Sequence, residues 1–278
     1  MYKQDLSTGQ KILRELAKGY EKLWLNMRYC VGTGGRGWHC QDPVFIVGCG
    51  HSGTTWLLRI MAAHPAFYAV PYESSWARKS DRKGQRLLAR FDKLTWVHRR
   101  SRWVEKTPKH IHFIKQLLDC RPEARVVVLA RNGDDVVASL KSRFGAFDTA
   151  LERWLADNRA ALEFDGHDRV AFFRYEDLVA DLEPTLKDVV SFLNAEWDPA
   201  LLNYEQVPFQ FLAELAPQSK EPGSDERVKH LAYRKWQIDQ RGYDGRGRGK
   251  SELTEEERAQ IHREGADVLA RFGYSENG

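Results

Sequence analysis

Apolar positions along this chain fall into short β-branched runs separated by stretches at helical spacing. Val44-Phe45-Ile46-Val47 reads as a buried strand, and the Gly/Ser/Thr loop after it leads to Trp56, Leu57, Ile60 and Met61 at helical spacing. His64-Pro65 stops that helix, and Phe67–Val70 reads as another short strand. Thr107-Pro108 has the form of an N-cap followed by proline at the first helical position, opening a helix that carries Ile111, Ile114, Leu117 and Leu118. The tract from Arg125 to Ala130 (RVVVLA) is a further buried strand, and Asp134 to Lys141 a helix with acids in its first turn. A strand follows from Arg169 to Tyr175, and Thr254 with Glu257 three residues on forms a capping box for a C-terminal helix. Strands alternating with helices predict an α/β fold, a three-layer α/β/α arrangement around a mainly parallel central sheet.

The Gly-rich stretch from Val31 to His39 divides the chain into residues 1–42, a helix and linker, and a catalytic-sized domain over 43–278. Residues 10–29 are basic and amphipathic, with Ile12, Leu13, Leu16, Leu23, Trp24 and Leu25. Such a segment either packs on the domain or makes a peripheral contact with a membrane surface. No signal stretch and no transmembrane span is expected.

Composition narrows the class. The chain has 278 residues, 42% hydrophobic and 29% charged, with a net charge of +4, which is too mild to call for a nucleic-acid partner. Cys30, Cys40, Cys49 and Cys120 form no CxxC pair, so reduced thiols in a cytoplasmic protein are expected, with no metal site.

The candidate chemistry lies in Gly48-Cys49-Gly50-His51-Ser52-Gly53-Thr54-Thr55, between a strand and a helix. Glycines there let backbone N–H groups turn toward an anion, and the helix N-terminus adds its dipole. Gly48 and Gly53 keep the Walker A spacing, but Thr54 stands where the lysine belongs. A kinase or NTPase reading thereby loses its main cation. A second marker is Arg131 at the end of the RVVVLA strand, with Ser139 in the next helix. A guanidinium fork at a strand's C-terminal end suits a phosphate, and a serine hydroxyl adds a hydrogen bond.

The tract G-x-x-H-S-G-T-T-W-L and the Arg131/Ser139 pair resemble the two donor-binding motifs of the P-loop-like, PAPS-dependent sulfotransferase superfamily (PAPS is 3′-phosphoadenosine 5′-phosphosulfate). The resemblance implies a transferase that moves a sulfuryl group from PAPS to an acceptor hydroxyl without a metal. It implies that Gly50, His51, Ser52, Gly53, Thr54 and Thr55 hold the 5′-phosphosulfate, and that Arg131 and Ser139 hold the 3′-phosphate. Arg246-Gly247-Arg248 is similar to the family's second contact to that phosphate, and Arg174-Tyr175-Glu176-Asp177-Leu178 to a tract that closes a strand. Two departures stand out. Gly133 replaces the usual proline and should loosen its turn; His51 replaces the usual Lys or Arg. A protonated His51 would neutralise the leaving phosphate only where its protonation allows, giving a rate that falls at alkaline pH.

Glu105-Lys106-Thr107-Pro108 looks like the family's E-K-[ST]-P element, which implies that the Lys106 ammonium reaches the bridging oxygen or the acceptor. For the base, the resemblance favours Glu73 in Pro71-Tyr72-Glu73-Ser74, with His110 as second candidate. Basic residues crowd positions 78–106, from Arg78 and Lys79 to Arg102 and Lys106, which points either to an anionic acceptor (a glycan, lipid or small metabolite) or to a solvated helix with Leu87, Leu88 and Phe91 inward. Trp76, Trp96 and Trp103 suit stacking on an acceptor or core packing. The alternatives to a sulfotransferase are a P-loop nucleotide kinase or NTPase, and a non-catalytic nucleotide-binding protein that retains the fold.

Overall fold

A computed structural model describes residues 19–20, 23–79, 81–209 and 245–274. Five strands form one parallel sheet: β1 (Val44–Val47), β2 (Phe67–Ala69), β3 (Arg102–Lys106), β4 (Arg125–Ala130) and β5 (Val170–Arg174), in the order β2-β3-β1-β4-β5. Side-chain alternation along β1 and β4 supplies the two faces. Val44, Ile46, Val127 and Leu129 pack with α2 (Thr54–Met61) and α8 (Leu182–Phe192) on one side. Phe45, Val47, Val126 and Val128 meet α3 (Asp81–Val97) and α4 (Ile114–Asp119) on the other. A third cluster lies under α5 (Gly133–Phe144), α6 (Phe147–Leu162) and the helices Glu255–Glu264 and Ala266–Arg271. The three-layer α/β/α expectation thus holds. The expected capping box closes too: Glu257 N–H donates to Thr254 Oγ1 and Thr254 N–H to Glu257 Oε2.

One local expectation differs, and one strand was missed. The Thr107-Pro108 segment is first a 3₁₀ turn, Pro108–Phe113, and becomes α-helical only at Ile114. Arg174 ends β5 and caps α7 (Tyr175–Ala180), so the tract to Leu178 follows directly on the strand. Strand β3 was not legible as one, because its Arg102, Glu105 and Lys106 mask the apolar signal. All three are buried, and each has local partners: Arg102, for example, pairs with the Asp42 carboxylate at 2.9 Å and donates to the Leu193 carbonyl at 2.5 Å.

Residues 23–32 form α1. A buried carboxylate ties the segment after it to the domain: Asp92 accepts from Cys40 N–H, Trp103 Nε1 and Arg121 Nη2, with His39 Nδ1 at 3.1 Å. Among the described residues no helix is long and apolar enough to cross a membrane.

Candidate active site

Strands β1 and β4 are neighbours, with Val47 beside Val128, so the loops leaving their C-terminal ends must adjoin. The first is the 48–55 turn. His51 (φ 73°) and Gly53 (φ 85°) take left-handed conformations that bend it back over the N-terminus of α2. A Cβ on Gly48 would lie 2.5 Å from the Leu129 carbonyl oxygen, so the turn sits directly on β4. Helix α2 carries no acid in its first turn and no side-chain cap at Gly53, which keeps its N-terminus suited to an external anion. Ser52 and Thr54 are buried in the turn, with Gly50 and Thr55 half-buried.

The second loop begins at Arg131. Its Nη1 donates to the His51 carbonyl at 3.0 Å and its Nη2 to the Gly245 carbonyl, while the guanidinium stacks 4.6 Å over the Tyr175 ring. Its Nε is buried with no hydrogen-bond partner among the described residues. Asn132 caps α5 by accepting from Asp134 N–H, which aims that helix's second turn, and Ser139 with it, at the first loop. The Ser139 hydroxyl lies 2.8 Å from His51 Nδ1 and accepts from Arg248 Nη1 at 3.2 Å. Sequence reasoning aimed the His51 ring at the leaving group; here it faces Ser139.

Asp135 went unnoticed as anything but a first-turn acid. Buried 3.5 Å from Arg131, it accepts from Gly247 N–H at 3.1 Å and Gly249 N–H at 2.9 Å. It therefore pins the glycine-rich C-terminal turn against the second loop. Gly249 must be glycine, since a Cβ would fall 2.4 Å from that of Asp134. Arg248 reaches inward, while Arg246 is exposed on the same turn, beside Gly247 at φ 82°. The i, i+4 spacing of Arg131 and Asp135 was the available signal. Gly133 does not loosen its turn either. The space of its missing side chain is filled by Trp154, 2.7 Å from where a Cβ would stand, and by Ile261 at 3.1 Å.

At the C-terminal ends of β2 and β3 stand the remaining candidates. Lys106, fully buried beside Ile46 of β1, donates to Glu73 Oε1 at 2.9 Å, and Glu73 keeps part of its side chain exposed. Beneath them lies a buried polar network. Glu105 Oε1 accepts from Ser74 N–H at 3.0 Å and Thr107 Oγ1 at 2.5 Å, and Glu105 Oε2 lies 3.2 Å from His110 Nδ1. Burial alone would raise the Glu105 carboxyl, but His110, Thr107 and Ser74 together hold it below the ordinary carboxylate range. His110 is fully buried, and its Nε2 accepts from Ala77 N–H at 3.3 Å. Both its ring nitrogens face protein.

The Arg/Lys-rich helix α3 resolves into faces. Gly84, Leu88, Phe91, Asp92 and Thr95 are buried, whereas Arg82, Lys83, Arg86 and Arg90 are exposed. Trp76 and Trp103 are core residues and so unavailable for stacking on an acceptor. Among the described residues no group of His, Cys, Asp and Glu has metal-binding geometry.

A family model described as "Sulfotransferase family" matches residues 43–87 and 82–199. The chain belongs to the sulfotransferase family. Solved structures with the same fold include the sulfotransferase domain of the Synechococcus PCC 7002 olefin synthase, 18% identical with a TM-score of 0.52 over 83% of this chain and 96% of that one. The mouse sulfotransferase SULT7A1 complexed with PAP is 14% identical with a TM-score of 0.54, over 84% and 89%. An uncharacterized protein of Aquifex aeolicus is 24% identical in an alignment 214 residues long that covers 61% of this chain and 28% of that protein. The matched part thus spans little more than a quarter of that relative's length. At these identities the likeness to solved structures carries the sulfotransferase fold.

Proposed function

We propose that this sulfotransferase takes PAPS as its donor and passes the sulfuryl group to an acceptor hydroxyl. One observation carries the reading: the 48–55 turn and the Arg131/Ser139 site share a wall, because Arg131 bonds the His51 carbonyl and Ser139 meets the His51 ring. Two anion sites this close suit the 3′ and 5′ groups of one adenosine. The donor set fits such a ligand, with a buried guanidinium nitrogen still to be satisfied and a helix N-terminus without an acidic cap. The mouse neighbour's PAP complex supports the same choice.

When bound, PAPS supplies an activated sulfuryl group whose bridging oxygen departs with the 5′-phosphate. Backbone N–H groups of residues 50–55 and the hydroxyls of Ser52, Thr54 and Thr55 hold the phosphosulfate. Arg131, Ser139 and Arg248 hold the 3′-phosphate, with Asp135 positioning the turn that carries Arg248 and Arg246. Lys106 offers its ammonium to the bridging oxygen as negative charge develops there. Glu73, held by Lys106 and partly open to solvent, accepts the acceptor's proton. His110 is better suited to orienting Glu105 than to proton transfer, since neither ring nitrogen faces the cleft. The acceptor is a hydroxyl compound, and the exposed cations of α3 favour an anionic one.

The test is ligand-dependent melting followed by transfer of labelled sulfate. Adenosine 3′,5′-bisphosphate should raise Tm where ATP does not, and Arg131→Ala should abolish the rise. Equal stabilisation by ATP would sink the donor assignment in favour of a nucleotide kinase or NTPase. Stabilisation without sulfate transfer to any of a panel of sugar, phenol and lipid hydroxyls would favour a non-catalytic binding protein.

A further inference from the structure

Six large hydrophobic side chains are conspicuously exposed among the described residues, and five of them, Tyr20, Leu23, Trp24, Met27 and Val31, lie at or on α1. Tyr20, Trp24, Met27 and Val31 recur at intervals of four, three and four residues, the spacing of one helical face, with Leu23 beside Trp24, and the five are 41–77% exposed. The opposite face holds the helix to the domain. Tyr29 is buried with its ring 5.8 Å from that of Trp96, Asn26 accepts from Lys93 Nζ at 2.7 Å, and Gly32 lies so close to Trp96 that no Cβ would fit. The apolar stripe is therefore turned outward by specific contacts on its back.

Cations rim the stripe. Arg28 stacks 4.6 Å over the Trp24 ring, and Arg28, Arg99 and Arg100 line one surface depression with Trp38 and Trp96. In sequence, residues 1–36 contain seven Lys and Arg against three acids, an excess equal to the whole chain's net charge of +4. A second protein copy offering the same basic stripe would meet this one with like charges, which disfavours self-association through it. An aromatic and aliphatic band edged with arginines matches the interface of a bilayer with anionic headgroups: rings and Leu/Met/Val side chains enter the acyl boundary while guanidinium groups stay at the phosphates.

We propose that α1 and the Arg28/Arg99/Arg100 rim form a docking surface for an anionic lipid membrane. The surface adjoins the end of α3 and the N-terminal end of β3, whereas the candidate donor site lies at the strands' C-terminal ends. Docking therefore leaves the donor cleft uncovered, and the proposal stands whether or not PAPS is the donor.

Sedimentation of the full chain with phosphatidylcholine vesicles, with and without phosphatidylglycerol, tests this. The expected result is partitioning at least about tenfold stronger onto anionic vesicles, lost in high salt. Leu23→Glu/Met27→Glu/Val31→Glu should cut it about tenfold or more. An unchanged Tm and unchanged stabilisation by adenosine 3′,5′-bisphosphate would certify the variant's fold. Should the triple variant fold poorly, Arg99→Glu/Arg100→Glu must still weaken anionic binding. Trp24→Phe should also reduce the quenching of protein fluorescence by brominated lipid. Equal binding to neutral vesicles, no binding to either, or wild-type self-association that the triple variant abolishes would overturn the proposal, the last by assigning the stripe to a second copy.

Discussion

His51 Nδ1 lies 2.8 Å from the Ser139 hydroxyl across 88 residues of sequence, joining the turn after β1 to the helix after β4. The imidazole thus stands between the two candidate anion sites instead of pointing away from one of them.

On the proposed reading, that position gives His51 a proton-dependent role. A charged ring would stabilise the phosphates on both sides, and deprotonation removes that help, so turnover should fall as pH rises. His51→Arg keeps the charge and should flatten the alkaline limb, read from kcat/KM between pH 5.5 and 9. If the limb keeps its position in the arginine variant, His51 has no such part.

Glu73 and His110 are separated by burial. Glu73→Gln should lower kcat by about 10²–10⁴-fold while leaving the binding of adenosine 3′,5′-bisphosphate intact. His110→Asn should instead lower Tm, with the folded fraction keeping its kcat. The reverse pattern would move the base to His110.

The Glu105 network makes a prediction about acid. A carboxyl held below its ordinary value of 4.5 adds stability that is fully present above about that pH and is lost as pH falls through the lower, folded value. Thr107→Val deletes the hydroxyl that donates to Glu105 at 2.5 Å. It should cost about 1.5–3 kcal/mol at pH 7, as expected for a hydrogen bond to a charged group. The gap between wild type and variant should shrink below pH 4.5. Urea unfolding at pH 7, 5 and 4 measures it, and a gap independent of pH would mean the carboxylate is not what the hydroxyl serves.

Gly133 is a packing position. A methyl there would meet Trp154 at 2.7 Å, so Gly133→Ala should destabilise by about 1–3 kcal/mol, and Gly133→Pro by at least as much. Gly133→Ala/Trp154→Phe should recover part of the loss, checked by a double-mutant cycle in urea. Additive effects would show that the two residues do not compete for this space.

Much of this was legible in the chain itself. The apolar runs at 44–47 and 125–130 are buried on both faces, and such strands announce themselves without help from context. The sulfotransferase markers lie in those strands' exit loops, where local sequence and ligand chemistry coincide. Strand β3 was hidden because Arg102, Glu105 and Lys106 read as surface residues until their partners at Asp42, Thr107 and Glu73 are known. Asp135 was hidden for the same reason: its amide partners at 247 and 249 lie more than a hundred residues away. Pattern reading recovers what neighbours along the chain decide and misses charges whose neutralisation is a matter of tertiary contact.

The Gly247–Gly249 turn leans on Asp135, and Trp154 is clasped between Gly133 and Gly265. Ribosomal synthesis delivers these parts in order, so the nascent sheet and its first anion loop emerge with an unfinished wall. On the proposed reading, donor capture must await the arrival of residues 245–274, so a chain interrupted before them would fold in part without a finished donor site.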